Sequence, residues 1–90
     1  MRLKYELTVI DMDGELTAVP TGKGADDFHG ILKLNETAAE ILEQLKEDTT
    51  PEKVHEYLKN KHPETDGHEI GNMLAAFLNQ LIREGLLIFP

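Results

Sequence analysis

The stretch GILKLNETAAEIL, Gly30 to Leu42, joins two periodicities without a loop between them. Its first part alternates apolar and polar residues, as a half-buried strand does, whereas its second part repeats apolar residues at helical spacing. Between the two stand only Asn35, Glu36 and Thr37. The Asn35 side chain can accept hydrogen bonds from the free N–H groups at a helix start, and Glu36 is favourable in the first turn. The stretch therefore predicts a strand that passes directly into a helix through a cap.

Two more strands are predicted upstream of this junction. Leu3 to Ile10 alternates apolar and polar residues, and Glu15 to Val19 follows Asp13-Gly14, a dipeptide typical of tight hairpin turns. A polar, glycine-containing connection then leads to the third strand, Phe28 to Leu34, which places Leu32 and Leu34 on one face. We expect the first two strands to pair as a hairpin and the third to lie at an edge of the same sheet.

Three helices should follow the strands. The first runs from about Glu36 to Lys46. The second begins either with Thr50 as cap and Pro51 at its first position, or with a capping box of Thr49 and Glu52, and it ends before Pro63. The third opens at Asp66-Gly67-His68-Glu69 and stops at Gly85. The apolar stripes predicted to face the core are Ala38, Ile41, Leu42 and Leu45, then Val54, Tyr57 and Leu58, then Ile70, Leu74, Phe77, Leu78 and Leu81.

This order predicts an α+β, winged helix-turn-helix-like fold, with a three-stranded antiparallel sheet followed by three α-helices. Leu86 to Phe89 is apolar and either adds a short strand or packs across the sheet. Ninety residues are expected to form a single domain, 1–90. No apolar run approaches the length of a membrane span and the N-terminus alternates, so a cytoplasmic location is expected.

The composition argues against an enzyme. The chain contains neither serine nor cysteine, which leaves threonines and lysines as nucleophiles, and most of the threonines are better explained as helix caps. The histidines, His29, His55, His62 and His68, form no ligand cluster. A weak metal site between His62 and His68 is the alternative, but we favour solvated loop histidines, and we expect no metal and no cofactor.

An interaction surface is the remaining interpretation. An edge strand with open N–H and C=O groups can accept an extended peptide, although Lys33 is also typical of edges that block unwanted pairing. On the third helix, one shoulder of the core stripe carries Met73, Gln80 and Glu84, with Phe77 at its margin. The other shoulder carries Ala75 and Ile82. The sequence does not decide which shoulder faces the edge.

Two other functions fit the predicted fold less well. A winged-helix DNA-binding regulator would need several Lys or Arg contacts to phosphate, but Arg83 is the one such residue between Asp66 and Glu84, and the formal net charge is −8. A quinone-like small product could occupy an apolar cleft, but no distinctive set of polar residues marks such a site.

The motif L-N-x-T-A-x-x-I-L, here Leu34 to Leu42, resembles the signature of the PqqD family, as do the Thr50-Pro51-Glu52 start and the terminal Leu81…Gly85-Leu86-Leu87. The resemblance covers about Tyr5 to Ile88. It implies a RiPP recognition element, a non-catalytic peptide chaperone that binds the leader of a ribosomally made precursor peptide. The leader adds as a strand to the third strand, against the third helix, and is presented to a modifying enzyme, often a radical SAM protein.

Carried over by position, the resemblance implies a peptide-binding site on both elements. The strand contacts would be Phe28, His29, Gly30, Ile31, Leu32, Lys33 and Leu34, and the helix contacts Met73, Phe77 and Gln80. The acidic loop Gly24 to Asp27 departs from the family pattern, so the precursor need not be that of pyrroloquinoline quinone biosynthesis.

Overall fold

The main sheet is a three-stranded antiparallel sheet, as the sequence predicts. In the computed structural model, which describes residues 1–22 and 32–89, it contains β2 (Leu7–Met12), β3 (Glu15–Pro20) and β4 (Leu32–Leu34) in the order β2-β3-β4. The turn between β2 and β3 has positive φ at both central residues, 55° at Asp13 and 87° at Gly14, the conformation that matches the twist of a tight hairpin. The predicted residues Phe28 to Ile31 lie outside the described part of the chain.

The N-terminal segment differs from the prediction. Instead of one strand over Leu3 to Ile10, the chain forms β1 (Arg2–Leu3), separate from β2, and β1 pairs antiparallel with β5 (Leu87–Ile88). The Leu3 N–H donates to the carbonyl of Leu45 at 2.9 Å, and the Lys4 N–H to that of Leu86 at 2.7 Å. These bonds to distant segments turn the chain away from the main sheet before β2 begins. The C-terminal segment therefore adds a short strand, one of the two predicted outcomes.

Helix α1 (Glu36–Gln44) begins where the capping pattern places it. Asn35 has extended backbone angles, and its side-chain oxygen accepts a hydrogen bond from the Ala38 N–H at 2.8 Å. The helix ends two residues earlier than expected, with Leu45 as its C-cap. Because the Leu45 carbonyl accepts the bond from β1, the end of α1 is tied to the N-terminal segment.

Helices α2 (Pro51–Lys61) and α3 (Gly67–Arg83) confirm the remaining start signals. Thr50 caps α2 by accepting from the Lys53 N–H at 3.2 Å, with Pro51 at the first helical position, so the first of the two predicted caps is the observed one. Asp66 caps α3 and accepts from the His68 N–H at 3.0 Å. Among the described residues, no helix is long and apolar enough to span a membrane.

The core lies between the inner face of the sheet and the three helices. Every residue of the predicted stripes of α1 and α3 is buried, and in α2 Val54 and Leu58 are buried while Tyr57 is half-buried. The sheet contributes Leu7, Ala18 and Leu32. The buried face of each strand therefore points toward the helices, and the opposite face, which carries Lys33, points to solvent.

Candidate functional site

The outer edge of β4 is defined by Lys33, whose main-chain groups point away from the sheet. The Thr21 N–H donates to the Glu6 carbonyl at 3.0 Å, next to the Leu7–Pro20 pair, which cannot exchange both bonds because proline has no N–H. Bonded and non-bonded pairs alternate along antiparallel strands, so counting from Thr21 makes Ile10–Thr17 a bonded pair. Thr17 therefore directs its main chain to β2, whereas its neighbours Leu16 and Ala18 direct theirs to β4.

It follows that Leu32 and Leu34, which lie opposite Ala18 and Leu16, exchange hydrogen bonds with β3. Lys33 lies between them opposite Thr17, so its N–H and C=O point away from the sheet. Among the residues that the structure describes, no strand pairs with this edge, and β5 at the C-terminal end pairs with β1 instead. The chain's own tail therefore does not occupy the β4 edge.

A groove of about 290 Å³ runs between this edge and α3. The α3 side of the groove is Met73, Ala76, Phe77 and Gln80. The structure thus decides a point that the sequence leaves open, because the shoulder bearing Met73 faces β4. The other shoulder, with Ala75 and Ile82, lines a separate apolar cavity of about 490 Å³ on the opposite side of α3, beside Pro51 and Phe89.

The other side of the groove comes from the junction between β4 and α1. Its residues are Lys33, Asn35, Thr37, Ala38 and Ile41. Because no loop separates strand from helix, the first turns of α1 lie beside the strand end and become part of the groove. Except for Lys33, sequence reasoning did not assign these residues to the site. The signal that could have found them is the loopless junction itself.

The groove is mostly uncharged in a strongly acidic protein. Lys33 is the one residue with an ionisable side chain among its described lining residues, and that side chain lies on the outer face of the sheet, in a chain with formal charge −8. Met73 and Phe77 provide an adaptable apolar surface. The α3 wall carries no lysine or arginine. A ligand with apolar side chains and an extended backbone suits this arrangement, whereas a polyanion does not.

The predicted site residues fall into three groups. Lys33, Met73, Phe77 and Gln80 come together in the groove. The Leu32 side chain lies in the core and is 4% exposed, and the Leu34 side chain is half-buried. The main-chain groups of both residues bond to β3 and not to the open edge. Phe28, His29, Gly30 and Ile31 lie outside the described residues.

The histidines do not all behave as solvated loop residues. His62 lies at the end of α2, where its Nε2 is 2.9 Å from a carboxylate oxygen of Glu40 on α1, so the expectation of a solvated histidine is wrong there. Helix packing brings these two side chains together from distant positions. His55 Nε2 is 3.0 Å from the Gly67 carbonyl oxygen, and His68 is exposed. Over residues 1–22 and 32–89, no three His, Asp or Glu side chains lie close enough to hold a metal ion.

Comparison with known proteins identifies a family and a shared fold. The sequence pattern of the family described as coenzyme PQQ synthesis protein D (PqqD) matches residues 11–87. A solved structure described as lasso peptide synthetase B1 complexed with the leader peptide superposes with a TM-score of 0.66 at 24% identity, over 98% of this chain and 96% of that chain. At this identity the superposition shows a shared fold. A search of curated proteins found no match.

Proposed function

The chain belongs to the PqqD family, and from this premise we propose that residues 1–90 act as one peptide-binding domain, a RiPP recognition element. It binds the leader segment of a ribosomally synthesised precursor peptide and presents it to a peptide-modifying enzyme. The domain supplies binding and orientation, and the partner enzyme, which we propose to be a radical SAM protein, performs the chemistry. The structurally similar lasso peptide synthetase B1, which is described in complex with a leader peptide, supports the same kind of ligand.

One observation carries the proposal: the outward main chain of Lys33 lies beside an apolar groove. An extended peptide pairs with Lys33 through N–H···O=C bonds and becomes the fourth strand of the sheet. Alternate side chains of that strand then point toward the face on which α3 lies. Leader side chains enter the groove between Met73, Phe77 and Ile41, while the intervening side chains remain on the outer face.

The size of the contact sets the affinity scale. An added strand of about six residues buries an area near or below that of a standard interface, so the dissociation constant should be about micromolar, or about 8 kcal/mol of binding free energy. Main-chain bonds fix the register, and apolar side chains in the groove supply most of the affinity. This range suits a partner that must release the peptide after modification.

The direct test is an NMR titration of the isotope-labelled protein with synthetic leaders encoded beside its gene. We expect saturable shifts of the Leu32, Lys33 and Leu34 amides and of amides from Met73 to Gln80. Amides of β1 and β5, on the far side of the core, serve as an internal reference. Shifts confined to the cavity near Ile82 would contradict the proposal, as would shifts along the outer edge of β2.

A further inference from the structure

The exposed positive charge of Lys33 indicates a further property of the ligand, in addition to its apolar side chains. Its side chain lies on the outer face of the sheet and is exposed, while its main chain points to the open edge. Its cross-strand neighbour on that face is Thr17, which cannot neutralise it. Among the described residues, no carboxylate oxygen lies within 4 Å of its ammonium group. An added strand would place one side chain directly beside this charge.

The pairing rules identify which ligand residue that is. The residue that exchanges main-chain bonds with Lys33 lies opposite it, and its side chain stands on the same face as the lysine side chain, with Cβ atoms about 5 Å apart. The two ligand residues on either side of it point to the inner face and into the groove. We infer, resting on the proposed function, that the leader carries an apolar–acidic–apolar triplet whose central Asp or Glu pairs with Lys33.

The surroundings of Lys33 sharpen the position of the acid. A second cavity of about 410 Å³ adjoins the groove at Lys33 and Asn35, and the acidic residues Glu15 and Glu36 are among those that line it. Two residues along a strand correspond to about 7 Å, which is within the screening length at physiological salt. An acidic ligand residue placed two positions closer to Glu36 would therefore lie farther from the Lys33 ammonium group and nearer to acidic side chains, so we expect it to weaken binding.

The same lysine selects against other strands. A neutral or basic side chain beside Lys33 would desolvate or repel its ammonium group without compensation, and edge lysines oppose indiscriminate strand pairing for this reason. An acidic ligand residue removes that penalty. Lys33 thus acts as a specificity-determining residue, while the main-chain bonds set the register and the apolar side chains in the groove supply most of the affinity.

The test is a charge scan across the leader, measured against two forms of the protein. Glu or Lys is placed at each position of a bound leader, and dissociation constants are measured by fluorescence anisotropy for the unaltered protein and for Lys33→Glu. At one position we expect Glu to bind about two- to fivefold more tightly than Lys, as for an exposed ion pair, and the preference to invert in Lys33→Glu. Glu36→Gln should leave that position unchanged and relieve the penalty two residues away.

The outcomes separate this inference from the proposed function. If leaders shift the amides of β4 but no position inverts its charge preference, the acidic triplet is wrong and peptide binding stands. Inversion at a position whose two neighbours tolerate charge would also overturn the triplet, because those neighbours should lie in the apolar groove. If no leader shifts β4 at all, both ideas fail.

Discussion

Replacing Lys33 with proline removes the one outward N–H that the described part of β4 offers to a ligand. Because this group takes no part in the pairing with β3, the sheet loses no ladder bond. Proline is tolerated at edge positions whose N–H faces outward, and it favours extended geometry in the preceding residue, which here is already in a strand. The substitution therefore acts on the ligand's main chain with little effect on the fold.

The expected loss follows from the hydrogen bond that disappears. A net contribution of about 0.5–1.5 kcal/mol is lost, and a ligand carbonyl left facing the proline ring costs about 1–3 kcal/mol. Because the ligand carbonyl is left without a partner, the second of these figures is the one that applies, and a loss of about 1–3 kcal/mol of binding free energy raises the dissociation constant about fivefold to 150-fold. Isothermal titration calorimetry with a leader that binds the unaltered protein measures the change.

Two control variants isolate the cause. Lys33→Ala removes the charge and keeps the N–H, so the proline variant is compared with it and not with the unaltered protein. Val9→Pro makes the same backbone change on the outer edge of β2, where the alternation of pairs also directs an N–H outward. Thermal melts confirm that each variant is folded. The reasoning is refuted if Lys33→Pro binds as Lys33→Ala does, or if Val9→Pro abolishes binding.

Three further predictions concern the groove and the helices. Met73→Ala should weaken leader binding severalfold with little change in stability, while Ile82→Ala, on the opposite shoulder of α3, should leave binding unchanged; equal losses would place the ligand elsewhere. Asn35→Ala should lower the free energy of unfolding by about 1 kcal/mol and the melting temperature by about 4–8 °C, whereas Asn35→Asp, which keeps the acceptor, should lose much less. The hydrogen bond from Lys61 to the Tyr57 hydroxyl raises the pKa of Lys61 above its ordinary 10.5. Its contribution to the free energy of unfolding is therefore present below pH 10.5 and is lost as the pH rises through the raised pKa. In denaturant titrations, Lys61→Met should lose less stability at alkaline pH than the unaltered protein does.

The helices were predictable because their signals are local. Asn35, Thr50 and Asp66 each bond to an N–H within three residues, so the sequence around a cap contains everything that determines it. The apolar stripes are local as well, and every helical residue assigned to the core except half-buried Tyr57 is buried.

The separation of β1 from β2 was not predictable in this way. Leu3, Tyr5 and Leu7 keep their alternation through the break, so periodicity alone reads them as one strand. The break depends on bonds from Leu3 to Leu45 and from Lys4 to the C-terminal segment, and these partners are distant in sequence. Pairing between segments that are distant in sequence produces no pattern in the local sequence from which it could be predicted.

The orientation of α3 was open for a related reason. A helical wheel shows that Met73 and Ile82 lie on opposite shoulders of the buried stripe, but the rotation of the wheel relative to the sheet depends on tertiary packing. The structure places the Met73 shoulder toward β4 and the Ile82 shoulder toward the larger cavity. A choice of binding site by cavity volume alone would have favoured the Ile82 shoulder.

The two cavities differ in the main-chain hydrogen-bonding groups that they offer to an extended ligand. The larger one borders β5, a strand of two residues that already pairs with β1, so an extended ligand would find little backbone to bond there. The smaller one lies along β4, where Lys33 presents both of its main-chain groups outward. Since an added strand draws its register from main-chain bonds, we propose the smaller groove and not the larger cavity as the peptide site.

The loopless junction explains why strand edge and groove occur together. Asn35 is at once the residue after β4, the cap of α1 and part of the groove wall. Its hydrogen bond to Ala38 fixes the first turn of α1 against the strand end, so Thr37 and Ile41 remain beside the position that a ligand strand would take. A flexible loop here would have to be ordered on binding, at about 1–2 kcal/mol for each residue fixed. The cap removes that cost in advance, so a short leader segment can bind with useful affinity through few contacts.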